Sequence, residues 1–145
     1  MPGRRPGRAP RSAPRSALGA VALGGAVGAL ARHGLALAFP HGAGDFDVAT
    51  FTANVVGGFL IGVLMVVVTD VAPGAGNLRP FLGIGVLGGF TTFSTYIVGI
   101  VQAVNAGAVL LALVYAFATM AAALGAAALG MHATRRLLPR REEGR

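Results

Sequence analysis

Four apolar runs, residues 17–39, 48–68, 81–104 and 108–131, are separated by short polar turns in a chain of 145 residues. At about 1.5 Å of rise per residue, each is long enough to cross a hydrocarbon layer of roughly 30 Å as a helix. The runs use up most of the chain, so no room is left for a second, soluble domain. Only 12% of residues are charged, against about 25% in an ordinary soluble chain. The expected fold is an all-α integral membrane domain, residues 17–132, of four transmembrane helices. An Arg/Pro-rich tail (1–16) is expected to be disordered, and an Arg-rich tail (133–145) follows the domain.

The third run is not uniformly apolar. At its middle stands Gly88-Gly89-Phe90-Thr91-Thr92-Phe93-Ser94-Thr95-Tyr96. A Gly-Gly pair followed by β-branched Thr-Thr is a poor continuous helix, by backbone entropy on one side and restricted χ1 on the other. Backbone carbonyls freed at membrane depth persist only inside protein or beside a wet cavity. The stretch therefore predicts a third helix broken mid-membrane beside a polar path.

Charge is placed asymmetrically. All the basic charge is arginine: Arg4, Arg5, Arg8, Arg11 and Arg15 precede the first run, and Arg135, Arg136, Arg140, Arg141 and Arg145 follow the last. Beside four apolar runs such tails speak for membrane topology rather than nucleic-acid binding. The first run is also longer than a signal-peptide core.

Within the first run, Gly24 and Gly28 are a small-xxx-small pair suited to close helix contact. Arg32 interrupts the same run, where a charge costs about 3 kcal/mol near mid-helix and less if it reaches the interface. It either snorkels or satisfies carbonyls and attracts an anion. His33 beside it and His41 in the loop have no metal-site spacing. In the second run Thr50 and Asn54 share a face at i, i+4, and Gly58 and Gly62 repeat the small-residue spacing. Pro80 is placed to open the third run and Asn105-Ala106-Gly107 to close it. The fourth run is mostly Ala and Leu, interrupted by Tyr115 and Thr119, again i, i+4.

The polar inventory excludes several functions. All five acidic residues, Asp45, Asp47, Asp70, Glu142 and Glu143, lie outside the run interiors. Proton-coupled pumps need a titratable carboxylate within the membrane, and cation pores an acidic ring or a carbonyl filter. With no cysteine and no His placed to activate Ser94, the chain is not expected to be an enzyme. Neutral donors remain: Asn54, Thr91, Thr92, Ser94, Thr95, Tyr96, Tyr115 and Thr119, with the ring edge of Phe93. Such a set suits a small, strongly hydrated anion.

The residues Gly88 to Tyr96 closely resemble the signature of the fluoride channel (Fluc/CrcB) family. Thr50-Phe51-Thr52-Ala53-Asn54-Val55-Val56-Gly57 is similar to its second-span motif, and Gly24 to Arg32 to its first. The resemblance covers all four spans. It implies an antiparallel, dual-topology-type dimer with two fluoride pathways in the cell membrane, working by passive efflux. Asn54 is then a pore-lining amide, Phe93 the first of two paired aromatics and Tyr96 the second, where many members carry Phe. Thr95, Tyr115 and Thr119 form a hydroxyl track whose next position is Ala123. The resemblance further implies a structural Na⁺ at the dimer interface, held by the carbonyls of Gly88 and Thr91.

The arginines fit that dimer only in part. Both tails and Arg79 fall on one side of a four-span chain, so both termini are expected in the cytoplasm and the partner to be an oppositely oriented paralogue. A homodimer is the alternative. Lipid surrounds either. Rival readings are a membrane scaffold and a small multidrug or cation transporter.

Overall fold

The computed structural model describes residues 15–71 and 76–138, all helix and turn. The expectations for the outer tails, including Arg4, Arg5, Arg8, Arg11, Arg140, Arg141, Arg145, Glu142 and Glu143, lie outside the described residues. The elements are α1 (Arg15–Ala38), α2 (Val48–Val71), α3 (residues 80–90), α4 (Ser94–Asn105) and α5 (Val109–Leu137). Val67–Val71 of α2 and Pro80–Leu87 of α3 wind as π-helix. Four stretches, with α3 and α4 together counted as one from Pro80 to Asn105, are long and apolar enough to cross a membrane.

The ends follow from local chemistry. Asp47 caps α2, its side chain accepting from the Thr50 N–H at 2.8 Å. Pro80 opens α3 at its first turn, where no backbone N–H is missed. At the end of α4, Gly107 takes φ +78°, the Ala108 N–H donates to the Ala103 carbonyl and Gly107 to Val104, both at 2.9 Å. This is the paired C-terminal closure that a left-handed residue permits. The helices start and stop beyond two of the expected boundaries. Arg15 and Ser16 already belong to α1, and α5 runs on to Leu137 instead of ending near Met131. No helix breaker stands between Met131 and Pro139, so the winding continues until the residues before that proline.

Many large aliphatic side chains point outward, and glycine and alanine fill much of the inside beside Val66, Leu87, Tyr96 and Tyr115. Leu23, Leu30 and Leu37 on α1, and Leu110, Phe117 and Leu124 on α5, recur every seven residues on exposed faces. The contacts between helices are made by glycine and alanine, as expected where lipid supplies no hydrophobic push between helices. Two seams dominate: α1 against α3, and α2 against α5. At Gly28 an added Cβ would strike the Val86 carbonyl, and at Gly62 the Ala127 carbonyl. Those backbones approach too closely for any other residue.

The helix directions leave two unlike ends. Arg15, Asp70, Arg79, Arg135 and Arg136 gather at one, where Arg135 and Asp70 pair at 3.8 Å. His41, Asp45 and Asp47 lie at the other, in the α1–α2 loop, with the α4–α5 turn.

Candidate functional site

Between α3 and α4 the helical ladder is interrupted. Thr91 is extended, at φ −79° and ψ 154°, and helix resumes at Ser94. Two other helices hold the gap. The Asn54 side chain, from α2, donates through Nδ2 to the Thr92 carbonyl at 3.0 Å and accepts through Oδ1 from the Thr92 N–H at 2.9 Å. Arg32, from α1, donates through Nε to the Gly89 carbonyl at 3.2 Å. Of its two expected roles, Arg32 here meets a carbonyl at the C-terminal end of α3, where the helix dipole favours a cation.

The hydroxyls sort into used and unused. Thr91 Oγ1 donates back to the Leu87 carbonyl at 2.8 Å, the usual intrahelical outcome. Thr92 Oγ1 accepts from the Thr95 N–H at 3.2 Å, donates to Thr95 Oγ1 at 3.1 Å and lies 3.3 Å from Ser94 Oγ, capping α4. Tyr96 donates to the Ala116 carbonyl of α5 at 2.9 Å. Tyr115 Oη and Thr119 Oγ1 are left: both are buried, and neither has a hydrogen-bond partner among the described residues. Thr50 stands beside the Tyr115 phenol without meeting hydrogen-bond geometry. A buried hydroxyl without a partner loses about 1–3 kcal/mol of solvation, so both call for water or a ligand.

A cavity of about 350 Å³ lies against the break, its wall including Asn54, Thr91, Phe93, Tyr96, Thr119 and Ala123. It thus gathers most of the expected site residues. Thr95 stands behind Thr92, outside the lining. Tyr115 lines a smaller crevice at the loop end with His41, Asp47 and Gln102. Tyr96, on the wall of the first space, and Tyr115, on that of the second, have ring centroids 5.6 Å apart.

Phe93 is 71% exposed in the single chain, with its ring centroid 5.8 Å from that of Tyr96. Phe46 extends this aromatic series beyond Tyr115, edge-on at 5.1 Å, and meets Phe51 at 5.4 Å. Phe46 was not among the sequence candidates. It sits in a Gly- and Asp-rich loop, and nothing in its spacing marks it. Around the break, none of the hydrogen bonds reaches the carbonyls of Gly88 or Thr91. Among the described residues no group of three or more His, Asp or Glu is placed to hold a metal by side chains.

A family model described as CrcB-like protein, Camphor Resistance (CrcB), matches residues 19–131. The chain is 55% identical over 100 residues to a fluoride-specific ion channel, FluC 2, of Streptomyces avermitilis, covering 69% of this chain and 63% of that relative. It is 49% identical over 122 residues to FluC 1 of Streptomyces coelicolor, covering 84% of this chain and 79% of the other. To FluC 2 of Nocardia farcinica it is 49% identical over 116 residues, covering 80% and 83%.

Proposed function

The chain belongs to the CrcB family, and from that premise we propose that it is a multi-pass, fluoride-specific membrane channel that lets cytoplasmic fluoride leave passively. The observation that carries the reading at this chain's own residues is the pair of buried hydroxyls, Tyr115 and Thr119, with no partner of their own. Thr119 shares its cavity with Asn54 and the Phe93 ring. Neutral hydroxyl donors and positive ring edges replace the hydration of a small anion without trapping it, as a fixed cation would. Conduction needs sites favourable enough to enter and weak enough to leave.

The driving force needs no coupling chemistry. HF crosses bilayers neutral, dissociates in a less acidic cytoplasm and leaves F⁻ behind; an inside-negative potential then expels it through a selective leak. The three acidic residues among the described positions, Asp45, Asp47 and Asp70, lie at helix ends or in a loop, so the described span interiors offer no carboxylate to carry a proton. That weighs against a proton-coupled transporter.

The break between α3 and α4 lies, in this proposal, near the middle of the membrane and against a second subunit, either another copy or an oppositely oriented paralogue. The exposed Phe93 face supports it, because a ring edge that meets an ion must be closed off from lipid. The Gly88 and Thr91 carbonyls are fitted to a structural Na⁺ on the dimer axis: hard cations take oxygen donors, and unwound backbone at a broken helix supplies them. Such an ion would offset the negative end of α3. Arg32 already does this at Gly89.

Tyr96 contributes its ring here, because its hydroxyl is committed to Ala116. Tyr96→Phe is therefore expected to keep fluoride transport while lowering stability by about 0.5–1.5 kcal/mol, the net value of one hydrogen bond. Efflux and thermal melting in detergent check the two halves separately.

The decisive test is fluoride efflux from liposomes holding the purified chain alone, read with a fluoride electrode against chloride. Fast fluoride-selective efflux is expected from a homodimer; efflux that appears only with a co-purified paralogue keeps the channel and fixes a heterodimer. Silence under both conditions would leave a scaffold whose glycine faces only pack helices.

A further inference from the structure

We infer that Asn54 is a positioning residue, which fixes the Thr92 peptide and through it the start of α4 and the attitude of Phe93. What Phe93 does rests on the channel reading; how it is held does not.

Asn54 engages both polar groups of one residue, donating to the Thr92 carbonyl at 3.0 Å and accepting from the Thr92 N–H at 2.9 Å. It pairs with Thr92 much as a neighbouring backbone would. Without it, an N–H and a carbonyl would stand unpaired at a helix break in an apolar surrounding. One of the two amide N–H bonds and one acceptor direction are already taken.

The effect propagates by one short chain of bonds. Thr92 Oγ1 accepts from the Thr95 N–H at 3.2 Å and donates to Thr95 Oγ1 at 3.1 Å, so the residue that Asn54 holds is the one that caps α4. Phe93 is the next residue, at φ −90° and ψ −35°. Its backbone lies between a fixed peptide and a capped helix, which sets the direction in which its Cα–Cβ bond leaves the chain.

Two independent features agree. Gly57, one helical turn from Asn54, faces the Thr91 methyl so closely that an added Cβ would collide with it. The α2 backbone is thus pressed against the break where the amide must reach. From the other side, α1 holds Gly89, three residues before Thr92, through the Arg32 Nε bond of 3.2 Å. The break is set between two fixed points on two different helices. Its geometry does not depend on local propensity alone.

The test uses the full-length protein in lipid nanodiscs with 4-fluorophenylalanine incorporated at position 93, observed by fluorine NMR in fluoride-free buffer. One sharp resonance is expected from the parent. Asn54→Ala and the isosteric Asn54→Asp, which keeps the acceptor but loses the donor, are each expected to shift or split it. The same variants without the label should lose fluoride efflux by roughly tenfold, as a misplaced contact group does. An unmoved Phe93 resonance in both variants would overturn the inference; if efflux were lost as well, Asn54 would instead be a direct ion ligand. Hydrogen exchange of the Thr92 N–H in the parent requires no variant: slow exchange supports the pairing, and the rate of a free loop amide refutes it. Absence of efflux from the parent both alone and with the paralogue would remove the channel reading and leave the resonance and the exchange rate to decide about Asn54.

Discussion

Phe93→Ile is expected to slow fluoride efflux severalfold while leaving the protein folded and membrane-inserted. Isoleucine is apolar and branched, and fills the volume near the Tyr96 ring without adding charge or a hydrogen-bonding group. It lacks the positive edge of an aromatic ring. Phe93 lines the cavity beside Thr119 and stands 71% exposed in the single chain, so its removal costs little internal packing. An edge contact is worth about 0.5–1.5 kcal/mol. Losing that contact along a conduction path slows it by roughly twofold to tenfold. The check pairs liposome efflux with size-exclusion behaviour and melting in detergent. A variant that melts as the parent does and conducts at the parent's rate would remove Phe93 from the path. A variant that is merely unstable would be recognised by its melting curve.

A reporter fused to the C-terminus is expected to signal from the cytoplasm in essentially every molecule. Among the described residues Arg15, Arg79, Arg135 and Arg136 lie at one end of the helices, countered by Asp70 alone, and the opposite loop carries Asp45 and Asp47 with no arginine. Arginine near span ends retains its loop on the cytoplasmic side, and nothing on the far side competes. An antiparallel dimer then requires a partner with the reverse bias. Equal signals from both sides would show a dual-topology chain and make a homodimer sufficient. The assay needs a phosphatase fusion and a fluorescent fusion, because each is active on one side only.

Much of the fold can be read from the chain without its neighbours. Hydropathy over some twenty residues marks each span, and Gly107 and Pro80 mark ends by backbone conformation that each residue imposes on itself. Thr91-Thr92 marks where the helix stops, whereas Gly88-Gly89 stays helical and Gly89 instead allows close approach to Gly25. The lack of a helix breaker between Met131 and Pro139 explains why α5 continues past Met131, although the hydropathy of the run ends earlier.

The candidate site is legible only as a list of residue types. Sequence offers eight neutral polar side chains, all equivalent donors on paper. Their availability is decided by carbonyls and amides on other helices: Tyr96 is taken by Ala116, and Asn54 by Thr92, 38 positions away in the chain. Tyr115 and Thr119 are left without hydrogen-bond partners among the described residues. Arg32 poses the same problem, since its choice between lipid interface and carbonyl turns on Gly89, 57 positions away. Phe46 joins the aromatic series only because the α1–α2 loop folds over Tyr115. Span count, helix ends and the absence of carboxylates from the span interiors are local properties, and the sequence by itself determined them. Which donors stay free is a property of contacts between helices, and those exist only once α1, α2 and α5 have packed around the break.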